Sequence, residues 1–99
     1  MTHAAEIRKL WQEYSSVGFP KGYTGKEING IDLPLLDAEL TGCIRMYMSG
    51  MALDVPRVKA LRERLIDLNG ILLLLEGEEV PYFNRLRELA NLILQEVGN

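Results

Sequence analysis

The sequence predicts an all-α fold, a small four-helix bundle with one short β-hairpin or turn inserted at about residues 26–33, and three observations carry that expectation. Apolar residues at Val58, Leu61, Leu65, Leu68, Leu72 and Leu75 recur at the three-then-four spacing of one helical face, so this stretch reads as a spine that the other elements cover. Three further stretches carry the same period. Pro20, Gly50 and Gly77 fall between the stretches, where helices are expected to stop. The chain's 99 residues make a single helical domain, 1–99, because a chain of this size buries only roughly 60% of its unfolded surface and has no room for a second core.

In chain order, Ile7, Leu10, Trp11 and Tyr14 lie on one side of a first helix at about 4–17, with Glu6, Arg8, Lys9, Gln12 and Glu13 opposite. Ser15, Ser16 and Gly18 weaken its end, and Pro20 cannot continue it. Residues 18–32 then hold four glycines and no helical period. Within them Ile28-Asn29-Gly30-Ile31 is a hairpin signal, because both centres of a type I′ turn need positive φ and Asn-Gly supplies it at little cost. A two-residue turn would pair Ile28 with Ile31 and Lys26 with Leu33 on one face, and Glu27 with Asp32 on the other. Strands this short are marginal alone, so the isoleucine face must pack on a helix; a plain turn is the alternative.

Asp32 ahead of Leu33-Pro34 suits the start of a second helix at about 34–49, where a proline in the first turn costs no hydrogen bond. Its stripe is Leu36, Leu40, Cys43, Ile44, Tyr47, Met48 and Met51, and Gly50 ends it. Gly42 interrupts this helix at a cost of about 1 kcal/mol against alanine, which predicts a second backbone crossing close by. Asp54 before Val55-Pro56 is the strongest N-cap signal in the chain and opens the spine, at about 55–76. The spine closes on Ile71-Leu72-Leu73-Leu74-Leu75, apolar on every side, which predicts that protein surrounds its end. Gly77 supplies a left-handed stop, and Glu78, Glu79 and Pro81 suit the first turn of a last helix at about 79–97. That helix presents Phe83, Leu86, Leu89, Ala90, Ile93 and Val97, and the short turn folds it antiparallel to the spine.

Composition removes several function classes. Hydrophobic and charged fractions of 47% and 25% are those of a globular protein that folds. A formal charge of −3 disfavours nonspecific nucleic-acid binding, which depends on neutralising phosphates. The longest purely apolar run, Ile71 to Leu75, is far short of the roughly 20 residues that span a bilayer, so no membrane segment is expected. One cysteine and the lack of a basic segment leading into an apolar one after Met1 make a cytoplasmic location the expectation.

The run Gly25-Lys26-Glu27-Ile28-Asn29-Gly30-Ile31-Asp32-Leu33, continued by Leu36-Asp37 and Gly42-Cys43-Ile44, resembles a pattern in small bacterial proteins of unknown function. The similarity extends through Asp54, Arg57 and Tyr82-Phe83-Asn84-Arg85-Leu86, about three quarters of the chain. The resemblance implies a stand-alone bacterial protein and carries over no catalytic or binding residue.

No zinc-ligand spacing, phosphate-binding glycine loop or Gly-x-Ser-x-Gly run is present, so no cofactor or metal is expected. Cys43 lies in an apolar stripe and the single imidazole, His3, near the N-terminus, which argues against a Cys-His nucleophile and for a buried thiol. Glu27, Asp32 and Asp37 would gather three carboxylates near the hairpin, read first as a solvated rim with Asp32 capping a helix and second as a cation site. Arg57, Lys59, Arg62 and Arg64 crowd the positive end of the spine's dipole, which either an anionic partner or the neighbouring acids Glu63, Asp67 and Glu76 to Glu79 would offset. Met46, Met48 and Met51 suit core gaps or an adaptable groove.

The leading expectation is a non-enzymatic protein-interaction module, a regulator, adaptor or toxin-neutralising protein, that meets a protein partner through Phe19, Tyr23, Arg57, Arg62 and Arg64. The alternative is a small-molecule-binding bundle or enzyme with a pocket near Trp11, Tyr14 and Tyr47. A homodimer is also expected, in which Leu73 and Leu94 belong to one apolar belt that meets a second copy.

Overall fold

The computed structural model of the chain describes residues 3–18 and 27–97. It is an all-α four-helix bundle with a two-stranded antiparallel hairpin: α1 (Ala4–Ser15), β1 (Glu27–Ile28), β2 (Ile31–Asp32), α2 (Leu33–Met48), α3 (Val55–Ile71) and α4 (Glu79–Glu96). Phe19, Tyr23 and Lys26 lie outside the described residues.

Local sequence accounts for most element ends. Asp32 Oδ1 accepts from the Leu35 amide at 2.9 Å, and Asp54 Oδ1 from the Arg57 amide at 3.0 Å, so each aspartate satisfies one of the amides a helix start leaves unpaired. Asn29 and Gly30 sit at φ 52° and 80° and pair Ile28 with Ile31 and Glu27 with Asp32, the expected turn and register. Both isoleucines pack against the core. α2 ends where Gly50, at φ 87°, lets the Met51 amide reach Met46 O at 3.2 Å and its own amide reach Tyr47 O at 3.1 Å, the paired bonds of a Schellman stop.

Three expectations give way. α1 stops two residues short of Val17, because the Ser16 hydroxyl bonds back to Glu13 O at 2.9 Å and its amide caps Gln12. Among the described residues no atom lies within 4 Å of where a Cβ on Gly42 would stand, so the expected backbone crossing is not found there. The spine does not run to 76: α3 ends at Ile71 and a 3₁₀ turn, Leu72–Leu74, follows. The tighter turn brings Leu75 back into the core four residues after Ile71, and it leaves Leu73 98% exposed and Leu74 half exposed. Four short helices cover one side of this segment, not all of it.

The core joins Leu61, Leu65, Leu68 and Ile71 of α3 to Leu33, Leu36, Leu40 and Ile44 of α2, Phe83, Leu86, Leu89, Ala90 and Ile93 of α4, and Ile7 of α1. Leu94 is only 4% exposed and belongs to this core, so it is not available to a second copy. Among the described residues no helix is long and apolar enough to cross a membrane.

Candidate partner-binding groove and a buried tyrosine-carboxylate cluster

The two ends of the bundle differ in chemistry. At one end the last turn of α2 presents Tyr47 and Met48, the Schellman stop at Gly50 turns the chain, and Met51-Ala52-Leu53 runs to the Asp54 cap of α3. With Val97, at the close of α4, these residues line a hollow of about 570 Å³. A second hollow of about 150 Å³ lies on the α1 side of the same Tyr47 and Met48, lined by Ala4, Ile7 and Arg8. Together they make an apolar groove over the bundle end, with Met51 56% exposed along it and Arg8 as its charged lining residue.

At the other end, three helices bring three oxygens together. The Tyr14 hydroxyl donates to Asp37 Oδ1 at 2.5 Å and the Tyr82 hydroxyl to the same oxygen at 2.8 Å, while the two hydroxyls stand 2.8 Å apart. Thr41, one turn on from Asp37, is buried and donates to the Asp37 carbonyl at 2.8 Å. Trp11 stacks on Tyr14 at 5.6 Å, Tyr14 meets Tyr82 at 5.1 Å, and Tyr82 meets Phe83 edge-on at 5.1 Å, so the cluster is roofed by aromatic rings. Burial pushes both phenols well above their ordinary value, and their hydrogen bonds to Asp37 add to it in each case. A phenol held protonated in this way is a poor base at neutral pH. The cluster ties α1, α2 and α4 together.

Comparison with family models, curated proteins and solved structures found no match to this chain. Its own geometry therefore has to carry the functional reading.

The structure divides the residues that sequence reasoning grouped. Trp11 stacks on Tyr14 of the cluster, with Arg45 from the last turn of α2 5.8 Å over the Trp11 ring, whereas Tyr47 lines the groove. Neither hollow of the groove is lined by Trp11 or Tyr14. Arg57 is bound to its own cap, with Nη1 2.6 Å from Asp54 Oδ2, and Arg64 Nε stands 2.9 Å from Asp67 Oδ2. Arg62 and Lys59 are exposed on the outer face of α3. Asp37 turns to the tyrosines and Asp32 caps α2, so the three carboxylates do not converge; among the described residues no group of three His, Cys, Asp or Glu side chains could hold a metal ion. Cys43 is half-buried with Sγ 3.7 Å from Arg57 O, and burial pushes its thiol up, against the opposing pull of the Arg57 charge.

Sequence reasoning missed Asp37 and Tyr82 as a pair with Tyr14. One signal was present: Leu33, Asp37, Leu40 and Ile44 follow one helical face, which puts a carboxylate where a core side chain belongs and demands buried donors. Which donors answer is a tertiary matter, since Tyr14 and Tyr82 are 68 residues apart.

Proposed function

We propose that this chain is a non-enzymatic protein-interaction module, and that the groove beside Tyr47, Met48 and Met51 receives an amphipathic helix of a protein partner. The observation that supports this reading is the pair of hollows sharing Tyr47 and Met48, apolar along their length and edged by Arg8. A helix in such a groove offers apolar anchors at i, i+3 or i+4, and i+7, and unbranched methionines adapt to their shapes. Arg8 suits a carboxylate on the partner's polar side, which would fix its orientation more than its affinity. A regulator, adaptor or toxin-neutralising role is the class of work such a surface serves.

The test places a photo-crosslinking residue at Met51 and, as an off-groove control, at Lys59, in the native host. Expected is a discrete protein adduct from position 51 that disappears when Leu53→Asp is added. Equal adducts from both positions, or adducts insensitive to Leu53→Asp, would overturn the reading. The 570 Å³ hollow is also within the size range of small-molecule sites, which favours an apolar small molecule as a second reading. A native lipid extract that protects position 51 from crosslinking in the purified protein would select it.

A further inference from the structure

The chain contains two Asn-Gly steps, Asn29-Gly30 and Asn69-Gly70, and the fold places them in unlike surroundings. An asparagine followed by glycine is able to modify itself. The glycine amide nitrogen loses its proton and attacks the asparagine Cγ, and the new C–N bond closes a succinimide ring. The side-chain nitrogen takes up a proton and leaves as ammonia. One water then opens the ring at either carbonyl, giving an aspartyl or an isoaspartyl residue, with no oxidation or reduction. A side chain on the following residue hinders the attack, as Arg85 and Leu92 do after Asn84 and Asn91, and glycine removes that obstacle.

The two steps differ in how readily the backbone leaves its native geometry to form the ring. Asn69 and Gly70 are exposed, yet they lie inside α3, whose amides bond to carbonyls one turn back, and the flanking Leu68 and Ile71 are 0% and 1% exposed in the core. Opening that step disturbs the core. Asn29 and Gly30 are exposed as well, but they form the tip of a hairpin whose strands are two residues each, and the flanking Ile28 and Ile31 are only half-buried. The ladder bonds of a two-residue turn belong to that flanking pair, which leaves the Gly30 amide outside the ladder. Among the described residues nothing stands within 4 Å of where a Cβ on Gly30 would be, and Gly30, Ile31 and Asp32 line a hollow of about 170 Å³, so the ring has space and water has access. The cost of a local opening is set by the contacts it breaks, and at this tip they are few. We propose that Asn29 is a self-modification site, deamidating through a succinimide with Gly30 in the native chain, and that the packing of α3 protects Asn69.

The isoaspartyl product routes the main chain through Cγ and adds one atom to a turn that two residues close. The pairing of Ile28 with Ile31 and of Glu27 with Asp32 does not survive that insertion, and a new carboxylate joins the exposed Glu27 and Asp32. Both isoleucines pack against the core and Asp32 Oδ1 caps α2, so conversion loosens the start of that helix. The hairpin is in this sense a slow timer written into the chain.

Peptide mapping by mass spectrometry tests this on the full chain, incubated folded at neutral and at mildly alkaline pH, with a urea-denatured sample as the reference for each asparagine. Heavy-oxygen water marks the oxygen that ring opening adds. Expected at Asn29 are conversion in the folded chain that quickens with pH, an isoaspartyl product, and protection relative to the denatured chain at least about tenfold weaker than at Asn69. The isoaspartyl fraction, isolated by chromatography, unfolds at a lower temperature than the parent. It also unfolds below Asn29→Asp, which adds the charge without the extra main-chain atom. A smaller difference in protection, no conversion at Asn29 while the denatured reference converts, or an isoaspartyl fraction as stable as Asn29→Asp overturns the proposal.

Discussion

At the scale of single residues, the Tyr14, Tyr82 and Asp37 oxygens form a network with two phenol protons for three close contacts. Removing one donor, as in Tyr82→Phe, leaves Asp37 Oδ1 with Tyr14 alone, and a hydrogen bond to a carboxylate is worth roughly 1.5–3 kcal/mol. A loss of that size in urea denaturation is the expected outcome, with Tyr14→Phe and the double variant markedly non-additive. Linkage gives a second expectation. Both phenols have raised pKa values in the folded chain, so the folded state holds their protons more tightly than the unfolded state, whose phenols titrate near their ordinary value of about 10. The stability they contribute is therefore complete below about pH 10 and is lost as pH rises beyond it. Phenolate absorbance should show two of the four tyrosines ionising only together with unfolding.

At the scale of elements, ends and turns were legible because their causes are local. Asp32, Asp54, the Asn29-Gly30 turn and the stop at Gly50 depend on neighbours within a few residues, and each does in the structure what its chemistry implies, whereas Gly77, at φ 56°, turns the chain into α4 without being the stop of α3, which ends at Ile71. Gly30→Val should cost about 1–3 kcal/mol, because a β-branched residue resists φ 80°; thermal unfolding measures it, and unchanged stability would mean the turn relaxes to another type. What local periodicity cannot reveal is where a helix changes winding. The pattern through Ile71 to Leu75 is compatible with one more helical turn, yet the chain tightens at Leu72 and turns Leu73 out. Gly42 misled for a related reason: a glycine in a helix signals low local cost or outside contact, and sequence does not say which.

At the scale of the whole molecule, the four stripes and one core were legible because amphipathic helices of a small chain have little else to bury against. Leu65→Ala and Leu68→Ala should each cost about 2–5 kcal/mol, since both are buried on the inner face of α3. A denaturation shift below about 1 kcal/mol at both sites would place the core elsewhere. Leu94→Glu should abolish cooperative unfolding altogether, a charge in a core position with no partner, whereas an interface residue would only change the state of association. Sequence reasoning joined Leu94 to Leu73 because both are apolar. Telling core from surface between them requires the helix packing that only the assembled bundle supplies. The groove was half legible: Met48 and Met51 were recognisable as adaptable side chains, but the hollow they edge arises from four elements ending together.

The tyrosine-carboxylate cluster also sets an order in time. Its contacts close loops of 23, 45 and 68 residues, while the α3–α4 reversal is made within a few residues of Gly77. Chain entropy makes the long closures rewarding only after the helices are already in place, so the cluster belongs to the last stage of the folding reaction. Tyr82→Phe should therefore accelerate unfolding in stopped-flow experiments and leave the refolding rate nearly unchanged, a φ-value near zero. The three oxygens act as a late clasp: they govern how long the native bundle lasts once formed, and have little part in how quickly it is reached.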